Sequence, residues 1–353
     1  MSVKVFVVDD SAIVRQALAH MLSGNPDIEL VGSAPNPLLA VDMMRRTQPD
    51  VLLLDIEMPG MDGLTFLRQI MATNPIPTVI CSTLSTEGSK VALEALALGA
   101  VAVLGKPKLG LRQFLDDSRR EMIQTLKIAA KSKPRCRPST GDSGAGHIAP
   151  AKAPALSSVH AFAVNKPVVI GSSTGGTQAL ETILTSLPAD APGIAITQHM
   201  PEKFTAMYAK RLDGICAMNV REARDGDRLE RGVVLIAPGG LHMQLRKSAG
   251  QYFAHVLDGP PVNRHKPSVD VLFRSASECA QRDVLGILLT GMGDDGARGM
   301  KVLHDGGAFT IAQNEETCVV FGMPKEAIKL LAVDEILPLE QVARAILKFD
   351  SRA

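Results

Sequence analysis

The sequence predicts two α/β domains, each built around a mainly parallel β-sheet, with a flexible linker between them. Short apolar runs alternate with stretches of helical periodicity over residues 1–125, and the same alternation returns over 163–350. The intervening residues 126–162 hold the end of a helix and then a segment rich in Pro, Gly, Ser and Ala, which cannot bury a core. A length of 353 residues fits about two domains.

The N-terminal part alternates five apolar strands with five helices, so we expect a doubly wound, five-stranded parallel sheet. Ser11 is a good N-cap for the first helix, and Gly24 can end it. The expected strands lie near residues 5–8, 28–32, 51–54, 78–81 and 100–104, and the helices near 11–22, 37–46, 63–71, 87–98 and 111–130.

Polar residues stand where these strands end: Asp9, Asp10, Asp55, Ser82 and Lys106. The carboxyl ends of parallel strands share one edge of a sheet, where ligands bind. Three carboxylates there would repel one another unless a divalent cation neutralised them, and an all-oxygen site suits Mg²⁺. A carboxylate beside Mg²⁺ and a lysine can accept a phosphoryl group. The alternative is an acidic patch with a solvated lysine. This alternative is disfavoured, because five residues of suitable types all stand at strand ends.

Together these residues resemble the motifs of two-component receiver domains. The resemblance implies that a histidine kinase phosphorylates Asp55. It also implies that Mg²⁺ is held by Asp10, Asp55 and the carbonyl group of Glu57. The residues that carry the resemblance are Asp9-Asp10, the run DIEMPGMDG at 55–63, Ser82 and Lys106-Pro107.

The resemblance also assigns the expected switch residues. Ser82 takes the position of the hydroxyl that moves onto the phosphoryl group, with Thr83 as a rival, and Lys106 contacts the phosphoryl oxygens. The Lys106-Pro107 bond is expected to be cis, as in relatives. Val103 departs from the family, which often has an aromatic residue at this switch position.

The C-terminal part begins with the stretch PVVIGSSTGG at 167–176, an apolar strand followed by a glycine-rich turn. The pattern Gly-x-Ser173-x-Gly fits a nucleophile elbow, in which a serine is lifted out of the sheet. Ser172 is a rival, but only Ser173 is centred between the glycines. The alternatives are a plain strand-to-helix turn and a phosphate-binding loop, although neither Walker A nor GxGxxG is matched. Further strands are expected near 193–197, 233–237, 284–289 and 310–312, with helices near 178–187 and 204–212.

Two later strand ends offer partners for this serine. His199 follows an apolar strand, and Asp294 and Asp295 follow another, so a Ser-His-Asp constellation for acyl chemistry can form at one sheet edge. The strand end favours His199 over its rivals His242, His255, His265 and His304. Spacing alone does not decide between the two aspartates. The backbone N–H groups of Thr174 and Met292 are candidates for an oxyanion hole.

Five segments of this domain resemble the catalytic domain of the chemotaxis protein-glutamate methylesterases. The resemblance implies a Ser173, His199 and Asp295 triad that cleaves glutamate methyl esters on chemoreceptors through an acyl-enzyme, without a cofactor. It also implies deamidation of receptor glutamines, and inhibition by the unphosphorylated receiver. Asp294 departs from the family, which commonly has Asn there. The segments are GSSTGG at 171–176, TQHMP at 197–201, DGPPVNRHKPSVDVLF at 258–273, TGMGDDG at 290–296 and AQNEETCVVFGMP at 312–324.

The composition and the sequence patterns limit the classes of protein to which this chain can belong. A net charge of +1 and the absence of Trp argue against a nucleic-acid partner. The N-terminus lacks a signal-peptide pattern, and no apolar run reaches the ~20 residues of a membrane helix. We therefore expect a cytoplasmic monomer without membrane insertion. The alternatives are a DNA-binding regulator and a non-catalytic, phosphorylation-switched binding protein. The cysteines are odd in number, lack CxxC spacing and are read as reduced thiols: Cys81, Cys136, Cys216, Cys279 and Cys318.

Overall fold

The chain forms two compact units, which divide between Ser143 and Gly144. The boundaries expected at 125 and 163 stay a prediction. In the described parts of the chain, no helix is both long and apolar enough to cross a bilayer. The computed structural model describes residues 2–58, 62–82, 86–106, 112–132 and 166–351.

The N-terminal unit is a five-stranded parallel sheet with the strand order β2-β1-β3-β4-β5. This confirms the predicted doubly wound fold. The central strands at 51–54 and 78–82 are fully buried because both faces of a doubly wound sheet are covered by helices. The strands are β1 (Val3–Val8), β2 (Ile28–Ala34), β3 (Val51–Leu54), β4 (Thr78–Ser82) and β5 (Ala102–Gly105), and the helices are α1 (Ala12–Leu22), α2 (Pro37–Thr47), α3 (Gly63–Thr73), α4 (Thr86–Leu98) and α5 (Arg112–Ala129).

Short polar side chains start three of these helices. The Ser11 hydroxyl accepts from the Val14 N–H at 3.4 Å, and the Asn36 and Asp62 side chains make the equivalent contact for α2 and α3. Each cap follows a loop at the carboxyl end of a strand, so these loops keep the polar residues at that edge close together.

The C-terminal unit contains a seven-stranded, all-parallel sheet and a separate three-stranded antiparallel sheet. The parallel sheet confirms the predicted class, whereas the antiparallel sheet was not predicted. The strands are β6 (Val168–Ser172), β7 (Ile194–Gln198), β8 (Asn219–Glu222), β9 (Arg228–Leu229), β10 (Val233–Ile236), β11 (His242–Ser248), β12 (Gln251–Leu257), β13 (Leu285–Leu288), β14 (Phe309–Gln313) and β15 (Glu335–Leu337). The helices are α6 (Gly176–Leu184), α7 (Glu202–Asp213), α8 (Val269–Ala280), α9 (Ala297–Asp305), α10 (Met323–Lys329) and α11 (Leu339–Asp350).

The order of the parallel sheet is β15-β14-β13-β6-β7-β10-β8, and the antiparallel sheet is β11-β12-β9. From β6 the chain first builds the β7 side of the sheet and later returns to place β13 on the other side of β6. Such a reversal of strand order opens a crevice at the carboxyl edge, where ligands bind in open α/β sheets. The turns that follow β6, β7 and β13 all reach this crevice.

Candidate active site

The turn after β6 presents Ser173 at the carboxyl edge of the sheet. The Ser173 N–H donates to the Thr290 carbonyl at 3.0 Å, and its own carbonyl accepts from the Gly176 N–H at 2.8 Å. At Gly176 a Cβ atom would lie 2.2 Å from Oε1 of Gln198, so only glycine lets α6 begin there. The turn therefore holds the backbone of Ser173 on both sides and leaves its side chain half-buried.

The two adjacent serines have different environments. Ser172 is fully buried, and its hydroxyl donates to Gln198 Oε1 at 2.6 Å. Ser173 reaches the crevice. The structure therefore places the Ser172 hydroxyl inside the sheet and Ser173 at its edge. The sequence distinguished the two serines only by the pattern of the flanking glycines.

Gln198 ties the ends of β6 and β7 together. Its side-chain N–H group donates to the carbonyls of Ser173 at 2.9 Å and His199 at 3.1 Å, and the His199 N–H donates to the Ser172 carbonyl at 3.1 Å. One buried amide thus fixes the spacing between the serine and histidine backbones. No sequence pattern predicts this role of Gln198. Its position directly before His199 was the one available hint.

His199 makes a buried ion-pair contact with Asp295. Nε2 of the ring lies 2.8 Å from Oδ2 of a carboxylate that is 0% exposed. The other ring nitrogen, Nδ1, is buried and has no hydrogen-bond partner among the described residues. Since the Nε2 proton is directed at Asp295, Nδ1 carries the lone pair that can accept a proton.

The environment of Asp295 keeps it ionised. Burial raises the pKa of this carboxyl, but the hydrogen bond and charge of His199 and the donors Val269 N–H and Ser268 outweigh burial, so the pKa lies below the ordinary value. Asp294 faces other groups, because its Oδ1 accepts from the Asn263 amide at 3.2 Å. Of the two aspartates the sequence offered, only Asp295 contacts His199.

The Ser173 hydroxyl makes no hydrogen bond to His199 among the described residues, although the Gln198 contacts place the two residues side by side. Such contacts are often long without substrate and tighten when it binds. The backbone N–H groups of Thr174 and Met292 likewise donate to no other group in the described chain. At Gly291 a Cβ atom would lie 2.7 Å from that of Ser173, so the loop before Met292 approaches the serine closely.

His265, which the sequence offered only as a rival of His199, stacks on the His199 ring. The ring centroids are 3.8 Å apart and the planes are 8° from parallel. Burial and the neighbouring His199 lower the pKa of His265 to about 4, so its ring is neutral at pH 7. The two histidines and Asp295 lie close enough to suggest a metal site. Parallel rings cannot both direct in-plane lone pairs at one ion at about 2.0 Å, so the stacking disfavours a metal here.

The receiver-like edge brings its acidic residues and lysine together. Asp9, Asp10 and Asp55 can offer oxygen atoms within 4.8 Å of one another. The Lys106 ammonium donates to Asp55 Oδ2 at 2.6 Å and lies 3.2 Å from Asp9 Oδ2. Burial raises the pKa of Asp55 despite the Lys106 hydrogen bond. Burial disfavours the charge of Lys106, but its contacts with Asp55 and Asp9 prevail and raise its pKa.

This oxygen-rich cluster fits Mg²⁺. Asp9 Oδ2 is buried and, beyond its ion-pair contact with Lys106, has no hydrogen-bond partner among the described residues. Asp10 is exposed beside it, as a site for a hydrated divalent cation requires. Ser82 ends β4 next to this edge, and its carbonyl accepts from the Lys106 N–H at 2.9 Å. The rival Thr83, and Pro107 with its expected cis bond, lie outside the described residues.

An acidic site for phosphoryl transfer on one α/β unit and a Ser, His and Asp cluster on the other define a response regulator whose second unit is an enzyme. Residues 5–115 match the response regulator receiver domain, and residues 168–346 match CheB methylesterase. The chain belongs to the CheB methylesterase family.

Two full-length relatives support this assignment. The chain is 54% identical over 351 residues to protein-glutamate methylesterase/protein-glutamine glutaminase 2 of Dechloromonas aromatica (strain RCB), covering 98% of each. It is 51% identical over 354 residues to protein-glutamate methylesterase/protein-glutamine glutaminase 1 of Chromobacterium violaceum, covering 98% of this chain and 99% of the relative. The crystal structure of the Thermotoga maritima CheB methylesterase catalytic domain is 38% identical with a TM-score of 0.51, covering 52% of this chain and 98% of that one.

Proposed function

We propose that this protein is a phosphorylation-activated hydrolase that removes methyl esters from glutamate side chains of chemoreceptors and deamidates receptor glutamines. The observation that carries the proposal is the state of His199, which stands at the strand end beside that of Ser173. One ring nitrogen is bound to buried Asp295, and the other is buried and has no hydrogen-bond partner among the described residues. This is the arrangement of a general base that activates a serine. The names of the relatives supply the substrate class.

The reaction begins when Ser173 Oγ attacks the ester carbonyl carbon and His199 Nδ1 takes the hydroxyl proton. Asp295 stabilises the imidazolium, and the N–H groups of Thr174 and Met292 bind the oxyanion. His199 then gives the proton to the ester oxygen as the C–O bond breaks, and methanol leaves. Water attacks the acyl-enzyme by the same steps in reverse and releases glutamate and free Ser173. With a glutamine substrate, ammonia takes the place of methanol.

In this proposal, the receiver regulates the activity of the C-terminal domain. Asp55 accepts the phosphoryl group of a phosphohistidine on a chemotaxis histidine kinase, and Lys106 contacts the transferred oxygens. Asp10, Asp55 and the Glu57 carbonyl, with Asp9 beside them, would hold Mg²⁺, which would supply charge stabilisation for this transfer. Ser82 responds to the phosphoryl group, and the unphosphorylated receiver restrains the enzyme. We place the protein in the cytoplasm as a monomer, since the kinase and the methylated receptor segments must both reach it.

Methanol release from methylated receptors tests the assignment. Ser173→Ala should lower kcat by about 10⁴-fold or more, because the nucleophile is lost. Ser172→Ala is the matched control: it removes the buried hydroxyl that donates to Gln198, so we expect lower stability and largely retained activity. Equal methanol release by wild type and Ser173→Ala would refute the proposal and favour a non-catalytic binding protein.

A further inference from the structure

The Asp295 carboxylate is held by the first turn of α8. The Ser268 hydroxyl donates to Oδ1 at 2.8 Å, the Val269 N–H donates to Oδ2 at 2.8 Å, and the Asp270 N–H reaches Oδ1 at 3.3 Å. Ser268 and Asp295 are both 0% exposed, so water does not compete for these contacts. Three donors from consecutive residues therefore fix the orientation of the acid that contacts His199.

Ser268 departs from the usual behaviour of a serine at its position. It is the N-cap residue of α8, where a serine side chain normally accepts a hydrogen bond from its own helix, but here it caps no N–H group. Its hydroxyl points to Asp295 instead, and the Asp295 carboxylate accepts the free N–H groups of the helix. Ser268 thus departs from the usual N-cap hydrogen bond and binds the Asp295 carboxylate instead. Such a departure from a local rule indicates a functional requirement.

A second histidine, the buried His242, binds the backbone of Ser268. The Ser268 N–H donates to His242 Nδ1 at 3.2 Å, and His242 Nε2 donates to the Pro260 carbonyl at 3.0 Å. These two contacts fix the neutral form of the ring, with the proton on Nε2. A continuous set of hydrogen bonds thus runs from the 258–267 loop through His242 and Ser268 to Asp295, and its last two bonds are buried.

We infer that Ser268 is a positioning residue of the active site, acting through Asp295 on the orientation of His199. This inference rests on the proposed esterase function. Ser268 reaches neither Ser173 nor the crevice, so its removal should change the chemical step and leave substrate binding intact. Without the hydroxyl, Asp295 keeps the Val269 N–H and the longer contact with the Asp270 N–H, but it loses the shorter of its two donors on Oδ1. The carboxylate is then less firmly oriented, and its contact with His199 loosens.

The test compares full-length variants, treated with an acyl phosphate as phosphodonor, on a small activated ester and on methylated receptor. Ser268→Ala should lower kcat about 10-fold on both substrates with KM unchanged. Ser268→Cys, which retains a weaker donor, should give an intermediate kcat. Ser275→Ala is the matched control, since Ser275 lies on the same helix and its buried hydroxyl contacts Leu272 and Leu245 instead of Asp295.

A double-mutant cycle separates positioning from general destabilisation. In an Asp295→Ala background, Ser268→Ala should cause no further loss of kcat, because Ser268 acts only through that carboxylate. A full 10-fold further loss there, or equal losses for Ser268→Ala and Ser275→Ala, would overturn the inference. Unchanged activity of Ser268→Ala beside an inactive Ser173→Ala would also overturn it. If Ser173→Ala were fully active, the proposed function itself would fail.

Discussion

At the scale of single residues, the two ring nitrogens of His199 have different surroundings. Nε2 is bound to Asp295, and Nδ1, which has no partner among the described residues, is the atom that exchanges a proton with Ser173 in the proposed mechanism. The stacked ring of His265 covers one face of His199 and stays neutral near pH 7. A neutral neighbour lets His199 become positively charged during the reaction without repulsion, whereas a charged His265 would oppose it.

The lowered pKa of His265 predicts how stability depends on pH. The folded ring titrates at about 4 and the unfolded ring at 6.5, so the unfolded state binds more protons between these values. The C-terminal domain should therefore lose stability as pH falls from 6.5 towards 4, by about 2 kcal/mol from this residue after allowance for the water-exposed part of the ring.

Urea unfolding of wild type and His265→Gln at pH 7 and pH 5 measures this effect. The pH-dependent loss should be smaller in His265→Gln. His255→Gln serves as the control, since His255 belongs to the same domain and contacts Asp225 at 2.7 Å instead of stacking on another histidine. Equal pH dependence in wild type and His265→Gln would contradict the prediction.

The sequence anticipated some of these residue roles and missed others for a physical reason. Ser173, His199 and Asp295 follow apolar strands, and strand ends are readable from hydrophobic periodicity. The choice between Asp294 and Asp295 required the resemblance, since adjacent residues share the same pattern. The contacts of Gln198 and Ser268 depend on tertiary approach, which no local pattern encodes.

At the scale of elements, the inner parallel strands were predictable because both of their faces are buried and their sequences are largely apolar. The parallel edge strands β8 and β15 were not predicted, because they are short and carry polar and exposed residues. The antiparallel sheet of β9, β11 and β12 was missed, because these strands carry exposed charged residues such as Arg246 and Lys247. The conformation of the loop before α8 was also not predictable from the sequence. Asn263 and Arg264 adopt left-handed backbone angles there, with φ values of 49° and 68°, and such angles belong to no periodic structure.

The loop between β13 and α9 should tolerate little change beside the nucleophile. In Gly291→Ala, the added Cβ would lie 2.7 Å from that of Ser173 and 2.3 Å from the Met323 sulfur. We expect a loss of about 1–3 kcal/mol in stability and at least about a 10-fold fall in kcat, since Ser173 must shift.

Gly214→Ala is the control, because its nearest neighbour is an ordinary 3.5 Å away and its φ of −74° suits alanine. Thermal unfolding and methanol release measure both effects. Full activity of Gly291→Ala would show that the loop can move without disturbing the serine.

At the scale of the whole molecule, the proposed control requires that phosphorylation of one unit change the activity of the other. An acyl phosphate with Mg²⁺ should raise the methylesterase rate of the full chain about 10-fold, within the usual range of coupling between sites. Asp55→Asn should abolish this rise, because the acceptor carboxylate is gone.

Asp50→Asn is a suitable control, since Asp50 lies just before the same strand and its carboxylate accepts only from the Lys4 N–H at 2.8 Å among the contacts described. It should respond to the phosphodonor like wild type. A rise in Asp55→Asn equal to that of wild type would place the activating modification elsewhere.

The strand order of the C-terminal sheet has a consequence for biosynthesis. The serine and the histidine follow β6 and β7 and are synthesised early in the domain, whereas the acid follows β13, which joins β6 only after the chain has built the opposite half of the sheet. Such long-range pairing forms late in folding. In the proposed mechanism, a growing chain therefore carries the nucleophile and the base without their acid. The domain could become hydrolytic only when the sheet closes, after the receiver sequence has left the ribosome.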